Sequence, residues 1–450
     1  MGLVIRLCGR HGRSNKLILE DESLIRLQNK LQELEDSNRE IRVALAGAGL
    51  MGTGMVSQLN LVTGMRPALV VDRTLAKILR AFDLAKIARE DVLVADRLEE
   101  INRGLEEGKL VASTRLDLIA RANIDVVVDA TGNPMAGAEI SMMAIENKKH
   151  IVLLNVETDA VIGPILNKKA REAGVVYTGT AGDEPGSCKE IFDFAKLCGF
   201  EILAMGKGKN NPIDYGANPD SVRKEAESKN LKPSMLAGFV DGTNTMIEMN
   251  VMANATGFRP DIPGGHGIES SLEELAGKFM LKSEGGILNK YGVVDYVNGI
   301  APGVFVVVRA RLPQVDSEMQ FLKMGDGPNY ILYRPYHLTS LETPITIARA
   351  FIDGQATIAP DQGQVCDTVA LAKKDLEPGD YLDGIGNYTV YGRLEDYDQA
   401  REKNLVPISL ISREARMIKP AKKGQPISYD MVELDEESLL YRLRKEQEDL

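Results

Sequence analysis

Between residues 41 and 180 the chain alternates short apolar runs with longer mixed stretches that carry helical periodicity. The runs are the strand beginning at Ile41, then Ala68 to Val71, Leu110 to Ser113, Ile124 to Asp129, Ile151 to Asn155 and Val175 to Thr178. Continuous apolar runs read as strands buried on both faces, as in parallel sheets, and regular strand–helix alternation predicts a doubly wound α/β fold. Helices are expected from the turn after residue 46 through Thr63, over an Ala- and Arg-rich stretch reaching Val94, and around Leu116 to Ala122. Ahead of this unit, LIRLQNKLQELEDSN places Leu24, Leu27, Leu31 and Leu34 at helical spacing, predicting an amphipathic helix that packs on the body or on a partner subunit.

Beyond residue 180 the pattern changes. Gly- and Pro-flanked polar stretches interrupt the apolar segments at AGDEPGSC, MGKGKNNP, DGTNTMIEMN and PDIPGGHG, and such stretches mark functional loops more often than plain connectors. Val304 to Arg309 and Tyr330 to Tyr333 read as strands of a second, mixed sheet. From about 363 short strands with Pro-Gly and Lys-Gly turns predict a small β-rich module, and a charged helix follows. The organisation is an N-terminal helical extension (1–40), a Rossmann dinucleotide-binding domain (41–180), an α+β substrate and oligomerisation domain (181–360), a β-rich module (361–432) and a charged helical tail with a solvated face (433–450).

The stretch IRVALAGAGLMGTG gives the first unit its chemistry. Gly47, Gly49 and Gly52 follow a predicted strand and open a predicted helix. Gly47 allows the sharp turn, Gly49 lets backbone N–H groups approach a pyrophosphate, and Gly52 lets the helix pack against the strand. The phosphates would meet the amides around Leu50 and Met51 at the helix N-terminus. At the end of the second strand Asp72 could hold a ribose 2′-hydroxyl, as for NAD, while Arg73 could hold the 2′-phosphate of NADP; the sequence leaves both open, along with a plain ion pair. Thr131 and Gly132, at the polar exit of VVVDATG, would face the nicotinamide.

Composition narrows the partners. A net charge of -11 over 450 residues argues against nucleic acid or an acidic membrane surface, without excluding a local basic pocket. Four cysteines without a CxxC pair fit a reducing compartment. No apolar run reaches membrane-spanning length, and the basic N-terminus has too short an apolar stretch for a signal peptide, so a cytoplasmic protein is expected.

Candidate catalytic residues sit in the middle domain. Lys207 and Lys209 lie in a glycine-punctuated loop, where a cation could stabilise a developing alkoxide or bind phosphate, and Asn210 and Asn211 could orient hydroxyls. Asp183 and Glu184, at a strand exit, could hold Mg²⁺ or Mn²⁺, or one could act as a base; adjacent residues on a strand point to opposite faces, so only one is expected to reach the site. Cap or turn chemistry is the bland alternative. His266 on a glycine loop is a candidate proton donor; Arg334 with His337, and Asp241 with Asn244, are candidate substrate contacts. Cys188 reads as a small core residue.

The motifs GAGLMG, VVVDATG and HIVLLN resemble homoserine dehydrogenase. The whole chain resembles homoserine-dehydrogenase-like proteins that end in an SAF domain, and within them the 1-deoxy-D-xylulose 5-phosphate reductoisomerase-like (DRL) family. That likeness is carried by NVETDAVIGP, AGDEPGSC, GKGKNNP, NATGFRPDI, EGGILNKYGVVDY, APGVF and RPYHLTSLETP, with AKKDLEPGDYLDGIG similar to the start of an SAF module. The resemblance implies an NAD(P)-dependent oxidoreductase that reduces, with isomerisation, a small phosphorylated sugar such as 1-deoxy-D-xylulose 5-phosphate, using Mg²⁺ or Mn²⁺, as a homo-oligomer. The G-x-D-x-x-R-K helix of true homoserine dehydrogenases is absent. Dehydrogenation of another hydroxy acid, a tetrose phosphate or homoserine, a cofactor-sensing protein without turnover, and a working SAF module with a regulatory oxidoreductase half are the alternatives.

Overall fold

In the computed structural model, residues 24–450 are described. Cys8 and the basic N-terminal stretch lie outside them. The first domain is built on seven parallel strands: β1 (Ile41–Ala46), β2 (Met65–Val71), β3 (Val92–Val94), β4 (Leu110–Ser113), β5 (Val126–Asp129), β6 (His150–Leu153) and β7 (Tyr177–Gly179). Their order is β3-β4-β2-β1-β5-β6-β7, so the chain reverses direction across the sheet between β1 and β5. In open α/β sheets ligands bind beyond the carboxyl ends of the strands at such a reversal. Val43, Leu45, Val70, Val126 and Val128 are fully buried, which is why these strands read as unbroken apolar runs.

Two expectations change here. Val92–Val94 is an edge strand rather than the end of a helix, because the helix before it stops at Leu84. The predicted helix at 116 to 122 is one 3₁₀ turn, Leu116–Leu118. The Leu24–Asp36 helix packs on the body: Leu27 and Leu31 are buried, and Arg26 and Lys30 pair with Asp353.

The second sheet is mixed: β8 (Glu201–Lys209), β9 (Ile268–Glu269), β10 (Val293–Asn298), β11 (Val304–Arg309) and β12 (Asn329–Arg334), in the order β12-β11-β8-β10-β9. β8 runs parallel to β10 and antiparallel to β11. The GKGK stretch is therefore strand, where a loop is expected from its glycines. Those glycines answer to close neighbours: a Cβ on Gly206 would stand 1.8 Å from the Asp295 carbonyl oxygen, and one on Gly208 2.5 Å from the Ala301 nitrogen. Packed between the two domains and the C-terminal module is the Thr243–Thr256 helix, buried along almost its whole length.

The C-terminal module contains an antiparallel pair, β13 (Cys366–Ala372) and β14 (Val390–Asp396), and a smaller pair at 416–417 and 432–433. The final helix, Leu439–Glu448, is not a solvated tail. Leu440, Leu443, Arg444 and Gln447 are buried against the Val156–Ala173 helix. Arg444 donates from Nη1 and Nη2 to Asp367 on β13, at 2.9 and 2.5 Å, and Gln447 accepts from the Ile165 N–H at 3.0 Å. Among the described residues no helix is long and apolar enough to cross a membrane.

Because both partners are buried, removing one leaves an uncompensated charge. Arg444→Ala is expected to destabilise the protein by about 3–5 kcal/mol, read as a lowered denaturation midpoint; an unchanged midpoint would contradict the anchoring role of this helix.

Candidate active site

The glycine turn after β1 has the geometry a dinucleotide requires. Gly47 adopts φ +99°, and a Cβ there would meet the Ala130 carbonyl oxygen at 2.8 Å. A Cβ on Gly52 would lie 1.9 Å from the Gly47 oxygen, so helix and turn touch. Gly49 differs: nothing stands within 4 Å of its Cβ position. This open space before the Leu50–Leu59 helix is where a pyrophosphate would approach the N-terminal amides, and the site fits the cofactor. Asp72 accepts from the Ala48 N–H at 3.0 Å and the Thr74 N–H at 2.9 Å, so its first role is to brace the turn. Arg73 beside it is exposed.

The exit of β5 is held by a buried network that sequence reasoning missed. Asp129 accepts from the Thr131 N–H (2.9 Å) and hydroxyl (2.7 Å). Asn155, which caps the Val156–Ala173 helix, donates to Asp129 at 2.9 Å and to the Asn133 carbonyl at 2.9 Å. Burial pushes the Asp129 carboxyl above its usual range, against these hydrogen bonds.

A cavity of about 790 Å³ starts at this turn. It is lined by Gly49, Leu50, Met51, Thr131 and Gly132, and runs on to Asp183, Glu184, Glu248, His337 and Asn244. Asp183 is the N-cap and Glu184 the first residue of the Glu184–Leu197 helix, so the opposite-face rule for a strand does not apply and both carboxyls reach the cavity. Lys207, 7% exposed at the end of β8, donates to Glu184 Oε1 at 2.6 Å and to Glu248 Oε2. Glu248 is the contributor from the Thr243–Thr256 helix that the sequence did not reveal.

Three carboxyls thus share one ammonium, and their titration separates. Burial and the charges of Glu184 and Glu248 drive Asp183 well up. Burial and Glu184 raise Glu248. Glu184 is held low because Lys207 and His337 outweigh its burial. The flanking carboxylates keep Lys207 protonated against burial. His337 Nδ1 lies 3.2 Å from the Gly182 carbonyl, which can only accept, and Nε2 lies 3.4 Å from Glu184 Oε1. Ligand atoms of Asp183, Glu184 and His337 all fall within 4.8 Å of one another. A carbonyl-held imidazole facing a carboxylate, in a cluster with surplus negative charge, fits a divalent cation.

Other candidate residues are placed elsewhere. Lys209 shares a strand face with Lys207, but its ammonium bonds the Phe239 carbonyl (3.0 Å) and Asn211 (3.2 Å); burial and Lys207 pull it down to about 8. Asn210 and Asn211 do not line the cavity. Asp241 is wholly buried against Lys373 at 2.7 Å, a structural ion pair rather than a substrate contact. Arg334 is held by both oxygens of Glu342, at 2.7 and 2.6 Å, and by Glu190 at 3.1 Å, which leaves no free fork for phosphate. His266 faces Asp261 at 2.8 Å, outside the cavity wall, and braces its own loop. Cys188 is buried, its thiol pushed up to about 12 by burial.

Comparison with known proteins assigns two segments of the chain to known domain families. Residues 47–178 match the homoserine dehydrogenase NAD-binding domain, and residues 182–343 match the catalytic domain of oxidoreductase DRL. The chain thus carries a homoserine-dehydrogenase-like NAD-binding domain followed by a DRL-type catalytic domain, which together support an NAD(P)-dependent oxidoreductase. Neither match reaches the C-terminal module. A search of curated proteins found no match. Among solved structures, a probable dehydrogenase from Thermotoga maritima is 15% identical over 72% of this chain and 92% of its own, at a TM-score of 0.37. A DOX-P reductoisomerase in complex with magnesium is 13% identical over 69% of each chain, at 0.40. A myo-inositol dehydrogenase from Corynebacterium glutamicum is 12% identical over 70% of this chain and 90% of its own, at 0.35.

Since the space at Gly49 is open, Gly49→Val is expected to fold as the parent does and to lose NAD(P)H binding, measured by nucleotide fluorescence. Parental affinity in a folded variant would contradict the placement of the pyrophosphate.

Proposed function

We propose that the protein reduces a small phosphorylated sugar, with 1-deoxy-D-xylulose 5-phosphate as the first candidate, and that a divalent cation assists. The observation that carries this reading is the single cavity that joins the Gly49–Met51 turn to the Asp183, Glu184, Glu248 and His337 cluster. A substrate there can contact both the cofactor and the charged groups.

When bound, the nicotinamide supplies the hydride and a Mg²⁺ or Mn²⁺ held by Asp183, Glu184 and His337 supplies polarisation of substrate oxygens. The chain's own residues do the rest. From behind the cavity wall Lys207 holds Glu184 and Glu248 in place with two of its three N–H groups, so that the carboxyls that line the cavity keep their positions. Thr131, fixed by Asp129, keeps the cofactor end of the cavity in shape. Asn244 lines the same cavity and can orient a hydroxyl. Reduction alone needs only the hydride and a proton; rearrangement of the carbon skeleton would also need polarised substrate oxygens, chemistry that a cation held by Asp183, Glu184 and His337 would supply.

The test is absorbance of NADPH and NADH with 1-deoxy-D-xylulose 5-phosphate, with and without Mn²⁺. Metal-dependent oxidation is expected, and oxidation that ignores the metal would remove the isomerisation step. Lys207→Met is expected to cut turnover by about 10²-fold, by releasing the carboxyls it positions, and to lower the denaturation midpoint, while the folded variant keeps its cofactor affinity. Mn²⁺ binding, followed by electron paramagnetic resonance, should be lost in Asp183→Asn and weakened in His337→Ala; binding indifferent to both would remove the cation from this site.

A further inference from the structure

The far end of the cavity differs from the carboxyl cluster. Its wall is made by residues 230–235, leading into the Pro233–Val240 helix, and by the C-terminal module through Asp383–Asn387 and Ile408–Arg413. These segments are built against each other. A Cβ on Gly386 would lie 2.0 Å from the Ser234 carbonyl oxygen, so the two backbones touch. The Ser409 hydroxyl donates to the Glu157 carbonyl at 3.0 Å, tying the module to the dinucleotide-binding domain. The module therefore closes the cavity and is part of its wall.

Lys232 and Arg413 line this space from two different segments, and both are exposed. Among the described residues neither has an acidic partner. Asp383, in the same wall, is committed elsewhere: it accepts from the Tyr388 N–H (2.9 Å), the Thr389 N–H (3.0 Å) and the Thr389 hydroxyl. Two buried cations nearby are matched, Lys207 by Glu184 and Glu248, and Lys373 by Asp241, while Lys209 is held by the Phe239 carbonyl and Asn211. The cavity thus holds a carboxyl cluster beside Lys207, with Glu157 also in its lining, and two cations without an acidic partner among the described residues, Lys232 and Arg413, on the segments around the C-terminal module.

We propose that Lys232 and Arg413 form a two-sided receptor for the phosphate monoester of the substrate, so that the C-terminal module supplies part of the substrate site. This rests on the reading of the cavity as the active site. A guanidinium offers paired N–H donors matched to phosphate oxygens, and an ammonium opposite adds a second point charge. A dianion held there leaves the other end of a small sugar free to reach the carboxyl cluster.

The test is calorimetry with inorganic phosphate on the full chain, with NADPH saturating so that the cradle at Gly49 is filled. NADPH affinity is measured in parallel by fluorescence. The parent is expected to bind phosphate, Lys232→Ala and Arg413→Ala each to weaken it by about tenfold, and the double variant to show none, with NADPH affinity unchanged in all. Arg413→Lys should recover part of the loss. Equal phosphate affinity in the parent and the double variant overturns the receptor while leaving the oxidoreductase reading in place, as does tight NADPH binding with no phosphate binding by the parent. A parent that fails to bind NADPH overturns the functional reading itself. Recognition of glycerate in preference to phosphate by the same two residues overturns the phosphate assignment.

Discussion

The buried ammonium of Lys207 is the charge on which the rest of the site depends. It joins β8 to the Glu184–Leu197 and Thr243–Thr256 helices through Glu184 and Glu248. Taking these groups out of water is costly, and the attraction offsets that cost only while all the partners are present. Losing the ammonium would leave the two carboxylates unpaired in the core, at about 3–5 kcal/mol. The arrangement is therefore rigid, and it still carries more negative than positive charge. Burial and that surplus drive the Asp183 carboxyl well up, and a cation beside His337 would offset the same charge. The proposed chemistry and the packing of these elements fall on the same small group of residues.

Around that group, three parts of the chain converge. The parallel sheet brings its topological reversal, with the open space at Gly49, to one side of the cavity. The mixed sheet sets Lys207 behind the opposite wall, and the C-terminal module closes the remaining side. The last helix keeps the module in register through Arg444 and Asp367, which joins a distant ion pair to the shape of the site.

The dinucleotide-binding half was legible in the sequence because its two signals are local. Buried parallel strands read as apolar runs, and the turn needs glycine at Gly47 and Gly52 for steric reasons that no neighbour can change. The catalytic half was less so, because its geometry depends on contacts across the chain. Glu248 lies in a helix buried on every side, so no periodicity marked its face. Gly206 and Gly208 suggested a loop, whereas they admit the backbones of Asp295 and Ala301 beside a strand. Arg334 and Asp241 looked available for substrate until their partners Glu342 and Lys373, supplied by other segments, came into view. Charge along the final helix hid an apolar face that the fold buries.

The most direct test of the central claim is a crystal structure of the protein with bound NADPH. The account predicts the pyrophosphate over the Gly49–Met51 amides and the nicotinamide in the cavity, between Thr131–Gly132 and the Glu184 and His337 side chains. A nicotinamide directed away from that cluster, with the cavity left empty, would contradict it.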